Sequence, residues 1–87
     1  MPYVYIVECA DGSLYTGWAV DIAARIKAHN AGRGARYTRM HGPVKLVYSE
    51  SQPTRADALK REAVIKTWPR KRKLKLISEQ SSSDLNS

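Results

Sequence analysis

Apolar and polar residues alternate in different rhythms along this chain, and each rhythm predicts an element. Tyr3-Val4-Tyr5-Ile6-Val7 opens a run of aromatic and β-branched residues that continues to Cys9 and reads as a strand. Asp11-Gly12 is a hairpin signal, and Leu14-Tyr15-Thr16-Gly17-Trp18 reads as the return strand. The length of the loop between them decides which side chains share a face. A two-residue loop pairs Tyr5 with Trp18 and sends Tyr5 and Tyr15 to opposite faces. A three-residue loop ending in Gly12, with a bulge, pairs Tyr5 with Gly17 and puts both tyrosines on one face.

Asp21 is an N-cap residue, and Ile22, Arg25, Ile26 and His29 follow it at helical spacing, predicting a helix over 21–31 that Gly32 ends. Its inward stripe alternates apolar with polar, an odd choice for a stripe that serves only as core. Residues 33–42 read as a loop, and Val44-Lys45-Leu46-Val47-Tyr48 as an alternating strand. Thr54 with Asp57 resembles a capping box that starts a helix over 54–67, with Ala58, Leu59, Glu62 and Ile65 on one side. Pro69 suits the first turn of a last helix over 69–78, although the alternation Lys73-Leu74-Lys75-Leu76 also fits a strand. Residues 78–87 are polar and serine-rich, and are expected to form a disordered tail. The order β-β-α-β-α-α predicts an α+β domain over residues 1–77, a small antiparallel sheet covered by helices.

Composition narrows the class. Eighty-seven residues allow one domain, and 43% hydrophobic with 26% charged residues excludes general disorder. No stretch reaches the roughly 18 apolar residues that span a membrane, and the N-terminus lacks the basic start of a signal peptide. The single cysteine, Cys9, cannot form an internal disulfide, and no Cys/His cluster has zinc-ligand spacing. A cytoplasmic location is expected.

Charge changes the picture most. All fifteen bases fall within residues 1–77 against six acids there, which gives that part +9. Eight bases and one acid, Glu62, lie between Lys60 and Lys75, and Arg33, Arg36 and Arg39 surround Tyr37. Such clusters are the electrostatic footprint of a polyanion binder, because each base that meets a phosphate releases condensed counterions. They can also be ordinary solvated faces.

Glu62 points inward by pattern, which is costly unless the carboxylate is paired or holds a cation. It is either a half-buried residue satisfied by Arg or a tyrosine hydroxyl, or a ligand for Mg²⁺, which often takes only one or two carboxylates from protein. Arg25 and His29, four apart on one helix face, can reach a common site. An arginine there could stabilise the charge that builds on a pentavalent phosphate. Neither GxGxxG nor a GK[ST] motif is present, so no glycine-rich phosphate loop is expected.

Taken together, these residues resemble the GIY-YIG nuclease superfamily, and closely its small stand-alone bacterial members. The first motif appears as Tyr3-Val4-Tyr5 and the second as Tyr15-Thr16-Gly17. Arg25 and His29 match the family's helix, and Glu62 falls in Leu59-Lys60-Arg61-Glu62, where the family places its metal-binding glutamate. Tyr3 stands at the first glycine of the family name and Thr16 at the middle of the second motif, while Gly17 is kept.

The resemblance implies a three-stranded antiparallel sheet flanked by helices, and a metal-dependent endonuclease that hydrolyses phosphodiester bonds. Tyr5, Tyr15, Arg25, His29 and Glu62 would form its catalytic set. Glu62 would hold Mg²⁺ (or Mn²⁺), Arg25 would clamp the scissile phosphate, Tyr5 and Tyr15 would orient or deprotonate water, and His29 would assist proton traffic. A tyrosine with a pKa near ~10 needs a nearby cation to act as a base, which Arg25 and the metal would supply. Both tyrosines must then share a face, so the three-residue, bulged loop is expected. DNA is the expected partner, single-stranded or branched, contacted by Arg33, Arg36, Tyr37, Arg39, Arg70, Lys71, Arg72 and Lys73, with weak sequence preference and a monomer as the expected state. The alternatives are a non-cleaving nucleic-acid-binding module, and an adaptor whose exposed Trp18 and Trp68 form a partner patch.

Overall fold

Among the described residues, three strands and three helices form in the predicted order. The computed structural model describes residues 1–31 and 43–86. Strands β1 (Tyr3–Cys9), β2 (Leu14–Ala19) and β3 (Val44–Ser51) pair antiparallel in the order β2-β1-β3. Helix α1 (Ile22–Asn30) packs on one face, while α2 (Arg55–Lys66) and α3 (Arg70–Asn86) cover the other. The central strand explains its own sequence. Val4 and Ile6 face Tyr48, Ala58 and Ile65, whereas Tyr5, Val7 and Cys9 face Ala19 and Val44 under α1. A strand buried on both faces reads as an unbroken apolar run, and each Val or Ile so buried contributes roughly 1.5–3 kcal/mol.

The hairpin has the odd-length, bulged loop. Tyr5 pairs with Gly17 and Val7 with Tyr15, so both tyrosines lie on the α1 face. The Cys9 amide donates to the Ser13 carbonyl at 2.8 Å and the Gly12 amide to the Cys9 carbonyl at 2.9 Å, which leaves Ala10, Asp11 and Gly12 as the loop. Gly12 has φ +85°, a left-handed conformation that a side chain would strain. Asp11 pins the turn by accepting from the Ser13 amide and hydroxyl at 3.0 and 2.6 Å.

Three expectations need correction. The third strand does not alternate simply, because its register against β1 shifts between Ile6 and Val7, leaving Val47 as an extra residue. Val44 therefore joins the α1 side, Tyr48 joins the α2 side, and Leu46 is 39% exposed. On α2 the buried positions are Ala58 and Ile65, seven apart, with Arg61 and Glu62 half-buried between them; Leu59 falls outside that stripe and is exposed. Finally, α3 continues well past residue 78. The Gln80 side-chain amide donates to the Ser49 carbonyl at 2.6 Å and accepts from the Ser49 amide at 3.4 Å, pairing with the open edge of β3 as a further strand would. A glutamine in a polar tail carries no sign of the strand edge waiting for it.

Both caps form as predicted. Asp21 accepts from the Ala24 amide at 3.0 Å, and Thr54 accepts from the Asp57 amide at 3.1 Å while its hydroxyl donates to the Asp57 carboxylate at 2.9 Å. Gly32, Arg33, Arg36, Tyr37, Arg39 and His41 lie outside the described residues. Among the described residues, no helix is long and apolar enough to cross a membrane.

Candidate active site

Helix α1 is held at both ends, and this is what places His29. The Asp21 cap fixes its start, and Ile22 and Ile26 pack against the Tyr5 side of the sheet. At its end, Asn30 straddles the first residue of β3, accepting from the Val44 amide at 2.7 Å and donating to the Val44 carbonyl at 3.3 Å. His29 is thereby pressed onto the sheet with 3% of its surface exposed, its Nε2 lying 3.0 Å from the Tyr5 hydroxyl. The imidazole meets both phenols edge to face, with ring centroids 6.1 Å from Tyr5 and 5.7 Å from Tyr15. Gly17 makes room for this. A Cβ there would lie 2.6 Å from the Tyr5 hydroxyl oxygen and 2.8 Å from Cζ, so Tyr5 lies across β2 only because position 17 has no side chain.

Burial dominates the electrostatics. It pushes the Tyr5 phenol up to about 12, aided by the Tyr15 phenol and the Glu62 carboxylate, and Arg25 opposes without prevailing. Tyr15 is raised as well, by burial and then Glu62, again against Arg25. His29 is lowered by burial and then by the Arg25 charge. Arg25 by itself does not bring either phenol below its ordinary value, because desolvation of a phenolate outweighs one exposed guanidinium. What results at neutral pH is a protonated phenol beside a neutral imidazole, with one proton between the Tyr5 oxygen and His29 Nε2.

The opposite wall comes from α2. Glu62 is half-buried, its side chain 17% exposed, and its charge reaches both phenols. One turn on, the Lys66 ammonium lies 3.7 Å from the Glu62 carboxylate and 5.9 Å from the centroid of the Tyr15 ring. Lys73 of α3 is near enough that the Lys66 charge lowers its pKa, after burial. Among the described residues, no group of three or more His, Cys, Asp or Glu could hold a metal. The structure thus gathers Tyr5, Tyr15, Arg25, His29 and Glu62 from four elements around one place.

The family model for the GIY-YIG catalytic domain matches residues 1–75. The chain belongs to the GIY-YIG family. Its similar relatives include the UPF0213 proteins of Staphylococcus aureus strains Mu3 and N315. Each is 56% identical over 78 residues, which is 90% of this chain and 95% of theirs. Among solved structures, the UPF0213 protein of Bacillus halodurans is 46% identical with a TM-score of 0.57, over 90% of this chain and 84% of that one. A protein of E. faecalis is 36% identical with a TM-score of 0.58, over 95% and 85%. GIY-YIG is a nuclease family, so the gathered residues sit in a domain of nuclease type whose substrate is nucleic acid.

Within this GIY-YIG domain the basic run on α3 divides by role. Arg70 donates to the Gly12 carbonyl at 2.8 Å, which ties the helix to the hairpin loop. Arg72 lies over the Trp68 ring at 4.0 Å, and Lys73 is half-buried within reach of the Lys66 charge. Lys71 is exposed. Neither tryptophan forms an exposed patch: both are half-buried against the core, with Arg55 over Trp18, and Arg61 as well as Arg72 near Trp68. Sequence reasoning missed Lys66 and Asn30. The i,i+4 spacing from Glu62 could have found Lys66; nothing local marks Asn30, whose partner is fourteen residues away.

Proposed function

We propose that the protein is a divalent-metal-dependent endonuclease that hydrolyses phosphodiester bonds in DNA with little sequence preference. The observation that carries this reading is the buried Tyr5–His29 hydrogen bond facing a half-buried glutamate, with Arg25 close enough to act electrostatically on all three rings. Glu62 suits a hard cation that takes one carboxylate from protein and completes its shell from water and phosphate oxygens. Lys66 already sets a positive charge against that carboxylate. A bound Mg²⁺ or Mn²⁺ would supply Lewis-acid neutralisation of the phosphate's charge.

The chain's own residues account for the rest. Arg25 holds the scissile phosphate and offsets the charge that grows on it in the transition state. A Tyr5 phenol pushed up to about 12 is a poor free base at neutral pH, so it works as one link of a relay. The attacking water gives its proton to the Tyr5 oxygen as Tyr5 gives its own to His29 Nε2, which lies 3.0 Å away and is neutral. Tyr15 orients the water from the neighbouring strand. Arg70, Lys71, Arg72 and Lys73, together with Arg33, Arg36, Tyr37 and Arg39, lead the strand to the site by contacts to its backbone.

Labelled single-stranded, duplex and branched DNA, incubated with Mg²⁺, with Mn²⁺ and with chelator, tests this reading. Arg25→Ala and Glu62→Gln purified in parallel should each lose about 10²–10³-fold in cleavage rate, the cost of removing one transition-state contact. If wild type and both variants behave alike while still binding DNA, hydrolysis is wrong and the non-cleaving module takes its place.

A further inference from the structure

Beside the candidate active site, at the open edge of β2, lies a shallow cleft of about 380 Å³ that neither the tyrosines nor Glu62 enter. Trp18, Arg55, Arg25, Ala19, Ala24 and Ala28 line it. Its volume falls within the range of about 300–1,000 Å³ typical of small-ligand sites. The chemistry is specific in kind. Alanines from β2 and α1 leave space, Trp18 offers an aromatic ring, and the Arg55 guanidinium lies over that ring at 5.4 Å from its centroid. The Asp21 carboxylate at the rim is engaged by the Ala24 amide. Arg25 belongs to both places: it lines the cleft, and its charge reaches Tyr5, Tyr15 and His29.

We propose that this cleft is a nucleobase subsite, in which the base next to the cut phosphate stacks on Trp18 and Arg55 while Arg25 spans base and phosphate. The inference rests on the nucleic-acid reading above and deepens it. Planar aromatic and guanidinium groups are the surfaces on which unpaired bases stack, and two guanidiniums complement the negative strand that must pass between them. A base inside a duplex is already stacked and paired, so only an unpaired nucleotide can enter. The site thus selects single-stranded or frayed substrate through Trp18 and Arg55, two residues outside the proposed chemistry.

Trp18 itself reports occupancy. The chain has two tryptophans, so Trp68→Phe leaves Trp18 as the sole indole. With chelator present to prevent cleavage, this variant is titrated with single-stranded hexathymidylate, with an abasic hexamer of the same phosphate backbone, and with a duplex. Hexathymidylate should quench Trp18 emission and bind roughly 5- to 150-fold tighter than the abasic strand, the effect of stacking one base. Arg55→Ala, also made in the native background in case Trp68→Phe fails to fold, should shrink that ratio. Equal affinity for the two strands, or binding without quenching, overturns the subsite. Quenching without any cleavage in the activity assay would uphold the subsite and overturn the hydrolytic reading; cleavage without quenching would do the reverse.

Discussion

Thr16 is the residue whose burial the structure does not repay. It stands at the middle of the second motif, 2% exposed, and its hydroxyl has no hydrogen-bond partner among the described residues. A buried hydroxyl left unpaired costs about 1–3 kcal/mol, so Thr16→Val, which keeps the shape, should raise stability by about 1 kcal/mol. In a domain of this size that corresponds to a Tm about 4–8 °C higher; an unchanged or lower Tm would mean the hydroxyl is satisfied after all. His29 is the opposite case, a buried polar group that is bonded. Its folded pKa lies below the unfolded value, so the unfolded chain binds more protons and stability is lost as pH falls from about 6.5 through the folded pKa. The Tm gap between wild type and His29→Gln should narrow between pH 7 and pH 5. If Tyr5 passes its proton to His29 as proposed, cleavage should fade below about pH 6.5 rather than at it. A gap independent of pH would show that the imidazole is not held neutral.

At the scale of elements, the hairpin is the device that assembles the site. Its three-residue loop sets a register in which Tyr5 sits across from Gly17 and diagonal to Tyr15, and the short α1 then brings His29 down between the two rings. Gly17 is needed here for close approach rather than for unusual backbone angles. Gly17→Ala should drive the Tyr5 ring from its place, because Tyr5 is fully buried and has nowhere to yield. The expected cost is about 1–3 kcal/mol of stability from overpacking, with loss of cleavage. Denaturant melts of Gly17→Ala, Tyr5→Phe and the double variant check it: the two costs should combine less than additively, since both act on the same hydroxyl. Strict additivity would mean that the clash at position 17 falls on the Tyr5 ring carbons rather than on its hydroxyl.

At the scale of the whole molecule, charge does what a small domain can do for affinity. A net +7 favours association with a polyanion through a term that carries no sequence information. Arg70 and Arg72 spend part of their capacity on the Gly12 carbonyl and the Trp68 ring, whereas Lys71 stands exposed. Binding of a single-stranded oligonucleotide should therefore weaken steeply with salt, and Lys71→Ala should reduce the log–log slope by about 0.7, one phosphate contact. Fluorescence anisotropy between low and moderate salt measures this; a slope unchanged by the substitution would place the strand elsewhere.

Much of this was legible in the chain itself. The order of elements and both helix caps follow from local rules, namely β-branched runs and Asx and Thr caps, while the five gathered residues were picked out by the resemblance of their motifs to the GIY-YIG family. The register of the hairpin was also within reach, once both tyrosines were required on one face. Tertiary structure decided what depends on residues far apart. The bulge at Val47 and the bonds of Asn30 and Gln80 to the two ends of β3 arise from strand edges that no local pattern reveals. The raised phenols and the neutral imidazole are likewise set by burial, since a pKa answers to how many atoms exclude water from a group, and only the packed chain determines that.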